Sequence, residues 1–199
     1  MGNTQRMDYQ DNQVRLYTSQ SNIVVEKLQA SGRHCVAETF IREKYEETSH
    51  VFLQAYRWYR QQAAEIVERP ADAESGIWTF LDVSYLDRSP DAQILQLQVP
   101  LEKVVFFRMS DWNKVLNLRL LGTEEEQRRY RDKLKTYAVP YEGDVYTTPF
   151  YPHLKRELTG SWEKLFQYDE DIKRNKILPF ADFQGGLWEI RREWVVSYL

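Results

Sequence analysis

Near its end the chain reads DFQGGLWEIRREWVVSYL, with Glu189 set between Trp188 and Ile190, three residues beyond the pair Gly185–Gly186. A carboxylate in that setting has two readings. It is the wet half of a strand alternation, which the shared parity of Arg191 and Glu193 favours. Alternatively, it is a reactive group beside a glycine opening that lets a ligand approach the backbone. Other catalytic patterns are missing. QGG has neither the spacing nor the Lys of a phosphate-cradling loop. His34, His50 and His153 stand alone, without an i,i+4 pair or HExxH, so no metal site is expected. Cys35 follows His34 directly, and adjacent strand residues point to opposite faces, so the two do not form a nucleophile–base pair. No GxSxG elbow occurs. Ordinary hydrolase and metal chemistry therefore have little support.

A carboxylate of either kind must be positioned by a folded core. The chain has 199 residues, 42% of them hydrophobic and 14% aromatic, which fits one domain with or without an insertion. Its net charge of −3, with both signs spread along the chain, argues against a dedicated DNA-binding domain. One cysteine forms no intramolecular disulfide. The polar start MGNTQRMDYQDNQ has no apolar core of a signal peptide, and Arg6 occupies the place where a myristoylation signal wants Ser or Thr. No apolar run approaches the roughly 20 residues that span a bilayer. The expectation is a soluble protein of a reducing cytoplasm with no membrane partner.

Residues 1–13 read as a disordered leader, followed by a single domain over 14–199. VRLYTSQ is a β-rich first strand. Ser21 then opens a short helix that ends at Gly32. A second helix is expected from Ser49 to Glu68, with Phe52, Ala55, Tyr56, Tyr59, Ala63, Ile66 and Val67 on one face. IWTFL reads as a second strand, AQILQLQVP as a half-buried strand by strict alternation, and VVFF as the next. Asp111 is placed to cap a helix holding Trp112. Residues 123–137 open with a capping box, Thr123 with Glu126, and read as a solvent-facing helical insertion. YTTPFYP is an aromatic, Pro-punctuated loop. Gly186 to Leu199 reads as one last strand. Strands in the middle with helices on either side predict an α+β fold.

RLYTSQ, IWTF, LQLQVPLEKVVFFRMSDWNKVLN, SWEKLF and GGLWEIRREWV together resemble an uncharacterised bacterial family known only as domain of unknown function 3841, over about residues 14–199. A strand ending in a hydroxyl residue, a helix and an aromatic strand are, more distantly, similar to the ADP-ribosyltransferase fold. That resemblance implies two small sheets forming a cleft for NAD, with flanking helices. It places Thr18 and Ser19 at the first-strand hydroxyl. Arg15 is the nearby cation, offset from the expected place, which Tyr17 or Thr18 occupies. Trp78 and Thr79 form the aromatic–hydroxyl pair. Gln184 and Glu189 form the late polar pair, five residues apart where the family's spacing is closer. In that role Glu189 binds the nicotinamide ribose and stabilises an oxocarbenium-like transition state, which needs neither metal nor covalent nucleophile.

Each residue also has a plainer part to play: Arg15 in a surface ion pair, Thr18 and Ser19 as strand-end or cap hydroxyls, Trp78 in the core. Three functions follow. An NAD-dependent transferase acting on a protein, nucleic-acid or small-molecule acceptor requires Arg15, Thr18, Trp78 and Glu189 to meet in one cleft. A catalytically inactive ADP-ribosyltransferase-like module working through a protein partner allows them to scatter and exposes aromatics such as those of YTTPFYP. A nucleic-acid modifier or binder would use Arg128, Arg129, Arg131, Lys133 and Lys135, which Glu124, Glu125 and Glu126 offset.

Overall fold

The computed structural model describes residues 5–39, 49–86 and 88–199. The strands, in chain order, are β1 (Gln5–Arg6), β2 (Tyr9–Gln10), β3 (Gln13–Ser21), β4 (Arg33–His34), β5 (Ile77–Phe80), β6 (Ala92–Pro100), β7 (Val105–Arg108), β8 (Ile177–Leu178), β9 (Phe183–Leu187), β10 (Ile190–Arg191) and β11 (Val195–Tyr198). The helices are α1 (Asn22–Ser31), α2 (Ser49–Ala63), α3 (Met109–Leu116), α4 (Glu124–Thr136), α5 (Asp144–Thr147), α6 (Pro152–Ser161) and α7 (Asp169–Asn175). The protein is α+β. Among the described residues its main sheet has seven antiparallel strands in the order β11-β6-β3-β5-β9-β7, with β2 on β3. Two ribbons, β1–β8 and β10–β4, stand apart from it. The expected pair of small sheets is thus replaced, among the described residues, by one broad sheet with two minor ribbons.

Local chemistry explains most boundaries. α1 stops at Gly32, whose φ of 77° only glycine adopts without strain, and the Gly32 N–H donates to the Leu28 carbonyl at 2.9 Å. Thr123 and Glu126 form the reciprocal capping box of α4. In β6, Leu95, Leu97 and Val99 are fully buried while Gln96 and Gln98 are only half-buried, as alternation requires. α3 begins at Met109, so Asp111 lies inside its first turn and pairs with Lys114 at 3.3 Å instead of capping.

The sheet carries a core on each side. On one side Val14, Leu16, Leu95, Leu97 and Phe106 pack with Val25 and Leu28 of α1 and with Trp194. On the other, Val105 and Phe107 pack with Tyr56 and Tyr59 of α2, Trp112 of α3, and Trp162. α4 joins this second core through Tyr130 and Leu134, which are 0% and 3% exposed, so the expected solvent-facing insertion has a buried seam. Residues 5–13, read as part of a leader, hold β1 and β2 here, and Met7 is buried; residues 1–4 lie outside the described residues. The C-terminal segment departs from the expected single strand. It is not one strand: β9 ends at Leu187, β10 pairs with β4, a 3-10 turn holds Arg192–Trp194, and only then does β11 join β6. Trp188 packs into the α2-side core, whereas Ile190 and Trp194 pack into the opposite one.

Candidate functional site

Residues paired across neighbouring strands share a face of a sheet. Arg15 lies opposite Gln98, Tyr17 opposite both Gln96 and Phe80, Phe80 opposite Gln184, and Gln184 opposite Phe107. Arg15, Tyr17, Ser19, Trp78 and Gln184 therefore occupy the α2 side of the sheet. Tyr17, Phe80 and Gln184 form one row across three strands, with about 10 Å between its outer Cα atoms. Phe80 stacks on the exposed Tyr85, their ring centroids 6.3 Å apart and 24° from parallel. Around β3 and β6 this face is only half-covered, since Arg15, Tyr17, Ser19, Gln96 and Gln98 are all half-buried.

Two buried side-chain nitrogens among the described residues have no hydrogen-bond partner, Arg15 Nε and Gln184 Nε2. Both belong to this face. Gln184 is 3% exposed. Arg15 reaches Asp8 through another nitrogen at 2.6 Å. A buried donor without an acceptor costs about 1–3 kcal/mol, so each is an unmet demand for an acceptor.

Trp78 shares the face but not the opening. Its ring centroid lies 4.9 Å from that of Tyr59, 5.1 Å from Trp112 and 5.6 Å from Phe107, and its indole N–H donates to the Tyr56 hydroxyl at 3.3 Å. It is a core residue. Thr18 and Thr79 point to the opposite side of the sheet and are 1% and 0% exposed. The Thr18 hydroxyl donates to the Trp78 carbonyl at 3.0 Å and the Thr79 hydroxyl to the Gly185 carbonyl at 2.9 Å. Both hydroxyl protons are spent on backbone carbonyls, and the Thr18 oxygen also accepts from Gln20 Nε2 at 2.8 Å.

The glycine pair belongs to packing. A Cβ on Gly185 would stand 2.8 Å from Thr79 Oγ1 and from Val104 Cγ1, and a Cβ on Gly186 would collide with the Tyr59 hydroxyl. Each glycine lets a neighbouring side chain press against β9, one on each face.

Glu189 lies past the end of β9, as much as ~16 Å along the chain from Gln184. It is 6% exposed and clamped from two sides. Arg33 Nε donates to one carboxylate oxygen, Arg191 Nε donates to the other at 2.8 Å, and Arg33 also grips Asp72 at 2.8 and 2.9 Å. Burial alone would push the Glu189 carboxyl up, but the hydrogen bonds from Arg33 and Arg191 outweigh it and hold it below the ordinary glutamate value. Glu189 lines a cleft of about 250 Å³ with Arg33, Val67, Lys103, Trp188 and Arg191. None of the sheet-face residues lines that cleft. The clamp leaves almost no local signal in the sequence, because Arg33 is 156 residues from Glu189; only the shared parity of Arg191 points to it.

The remaining candidates are quiet. Burial pushes the Cys35 thiol up to about 11, which leaves it protonated and unreactive near neutrality. Among the described residues no group of three His, Cys, Asp or Glu side chains is placed to hold a metal ion, and no helix is long and apolar enough to cross a membrane. Phe150 of the YTTPFYP loop is 79% exposed, beside the Tyr137–Tyr151 ring pair at 5.5 Å.

Fold and site together define an α+β protein with a half-open, amide- and aromatic-lined sheet face and a separate ion-paired carboxylate. The chain belongs to the family described as a domain of unknown function, DUF3841, which matches residues 15–196. No curated protein and no solved structure matches it.

Proposed function

We propose that this chain is a binding module and that its ligand is a nucleotide of the NAD class, seated on the half-covered face of β3 and β6 and reaching toward Gln184 of β9. The observation that carries this reading is the Gln184 side-chain nitrogen, buried without a partner on the same face as the equally unpartnered Arg15 Nε. A carboxamide or nucleobase supplies the acceptor that Gln184 lacks, and Tyr17 and Phe80 offer ring surface beside it. Arg15, paired with Asp8, lies on the same face and suits a phosphate or ribose oxygen.

Turnover through Glu189 is not part of the proposal. Glycosidic cleavage requires a carboxylate at the ribose, and this one is committed to Arg33 and Arg191 beyond the strand end. The positions of Arg15, Thr18, Trp78 and Glu189 favour the inactive module over the transferase, because they occupy two faces of the sheet and a separate cleft.

Calorimetric titration with NAD, with nicotinamide release followed in parallel, tests this. Wild type binds without releasing nicotinamide. Gln184→Leu, which removes the buried amide while keeping its bulk, weakens binding at least tenfold and leaves stability nearly unchanged. Glu189→Gln keeps the wild-type affinity within about twofold, since it touches none of the seat. Absence of binding by wild type, or release that Glu189→Gln abolishes, would overturn the reading.

A further inference from the structure

A groove of about 570 Å³ runs between the end of α3, the C-terminal half of α4 and the loop 139–143. It shares no residue with the sheet-face seat. Its walls bring together Lys114, Arg119, Arg131 and Lys135, against which the single acidic lining residue among the described residues is Glu142. That carboxylate is engaged, accepting the Leu120 N–H at 2.7 Å. We propose that this groove binds single-stranded nucleic acid.

The cations converge for structural reasons. Gln127, Arg131 and Lys135 follow one another at i,i+4 spacing and share one face of α4. After α3 the chain turns through Leu118, whose φ of 51° is rare for a residue with a side chain, and this turn delivers Arg119 to the opposite wall. The Arg119 backbone is pinned there: its N–H donates to the Lys114 carbonyl at 2.9 Å, and its carbonyl accepts the Trp162 indole N–H at 2.7 Å. The base of the side chain is fixed while its guanidinium stays open.

Lys114 and Lys135 pair with Asp111 and Asp132 at 3.3 and 2.9 Å. Arg119 and Arg131 make no ion pair or side-chain hydrogen bond among the described residues. Of the acids that offset the basic run in the sequence, Glu126 closes the capping box and pairs with Lys164 at 2.8 Å, and none of Glu124, Glu125 and Glu126 lines the groove. The groove thus keeps a local positive excess that the net charge of −3 conceals. On its rim Tyr141 is 73% exposed. Cations that track phosphates beside an aromatic ring on which a base can stack are the two components of single-strand recognition. An acidic peptide would use the cations but leave Tyr141 idle.

Fluorescence anisotropy with labelled oligothymidylate and oligouridylate over a range of salt tests the proposal. Wild type binds at low salt, and its affinity falls linearly in log–log form, by about 0.7 per phosphate contact. Replacing both arginines, Arg119→Ala with Arg131→Ala, lowers that slope by about 1.4, two contacts' worth. Tyr141→Ala weakens binding roughly 5- to 150-fold and leaves the slope unchanged. The three side chains are exposed, and matched thermal melts confirm that the variants fold. No binding at low salt overturns the proposal. So does an arginine pair whose loss changes nothing, a duplex that binds as tightly as the single strand, or a polyglutamate that binds as tightly with no dependence on Tyr141.

Discussion

Glu189 shows how two side chains decide what a third can do. Held by Arg33 and Arg191, its carboxylate stays charged and buried, which suits it to joining β10 to β4 and to the Asp72 loop through Arg33. Its folded-state pKa lies below the ordinary 4.5. The stability it adds is therefore complete above that value and is lost as pH falls through the lower, folded value. Urea unfolding of wild type and Glu189→Gln should differ by about 1–3 kcal/mol at neutral pH. The gap should close as the pH is lowered below 4.5. A difference that is flat with pH would mean that the charge plays no part in the clamp. At this scale the sequence showed a carboxylate among aromatics and its Arg191 neighbour in parity. It could not show Arg33, because an ion pair across the whole chain leaves no trace in local spacing. Gln184 was named from the resemblance; that its amide nitrogen is buried without a partner depends on Phe80 and Phe107 flanking it in register.

Elements with a strict local signal were the legible ones. The alternation of β6, the glycine end of α1 and the capping box of α4 each arise within a few residues, and each stands where the sequence places it. The last segment departs from its sequence pattern for a physical reason. Trp188, Ile190 and Trp194 share one parity, but two bends send the first into one core and the others into the opposite one. Parity reports a face only while the strand stays straight. The contact of α2 with β9 makes a second prediction. Gly186→Ala sets a methyl group against the Tyr59 hydroxyl and should cost about 1–3 kcal/mol by chemical denaturation. Tyr59→Phe introduced with it removes the colliding oxygen, so the double variant should be more stable than the sum of the two single changes. Simple additivity would place the strain elsewhere.

Across the whole molecule, the sheet is assembled out of sequence order. β9, reached only at residue 183, lies between β5 and β7, which are otherwise not joined to each other. Neither can satisfy its inner edge until that late segment arrives. A chain ending at Asp182 should therefore lack a cooperative thermal transition and bind hydrophobic dyes, and a sharp melt would show that the rest of the sheet closes without β9. During synthesis the consequence is one of timing. Until Phe183–Leu187 leaves the ribosome, the segments that become β5 and β7 keep unpaired N–H and C=O groups on their facing edges, open to any extended segment that reaches them first, its own or a neighbour's. The glycine pair then acts as a gauge as well as a packing feature, because a strand with side chains at both positions would meet Tyr59 on one wall and Thr79 and Val104 on the other.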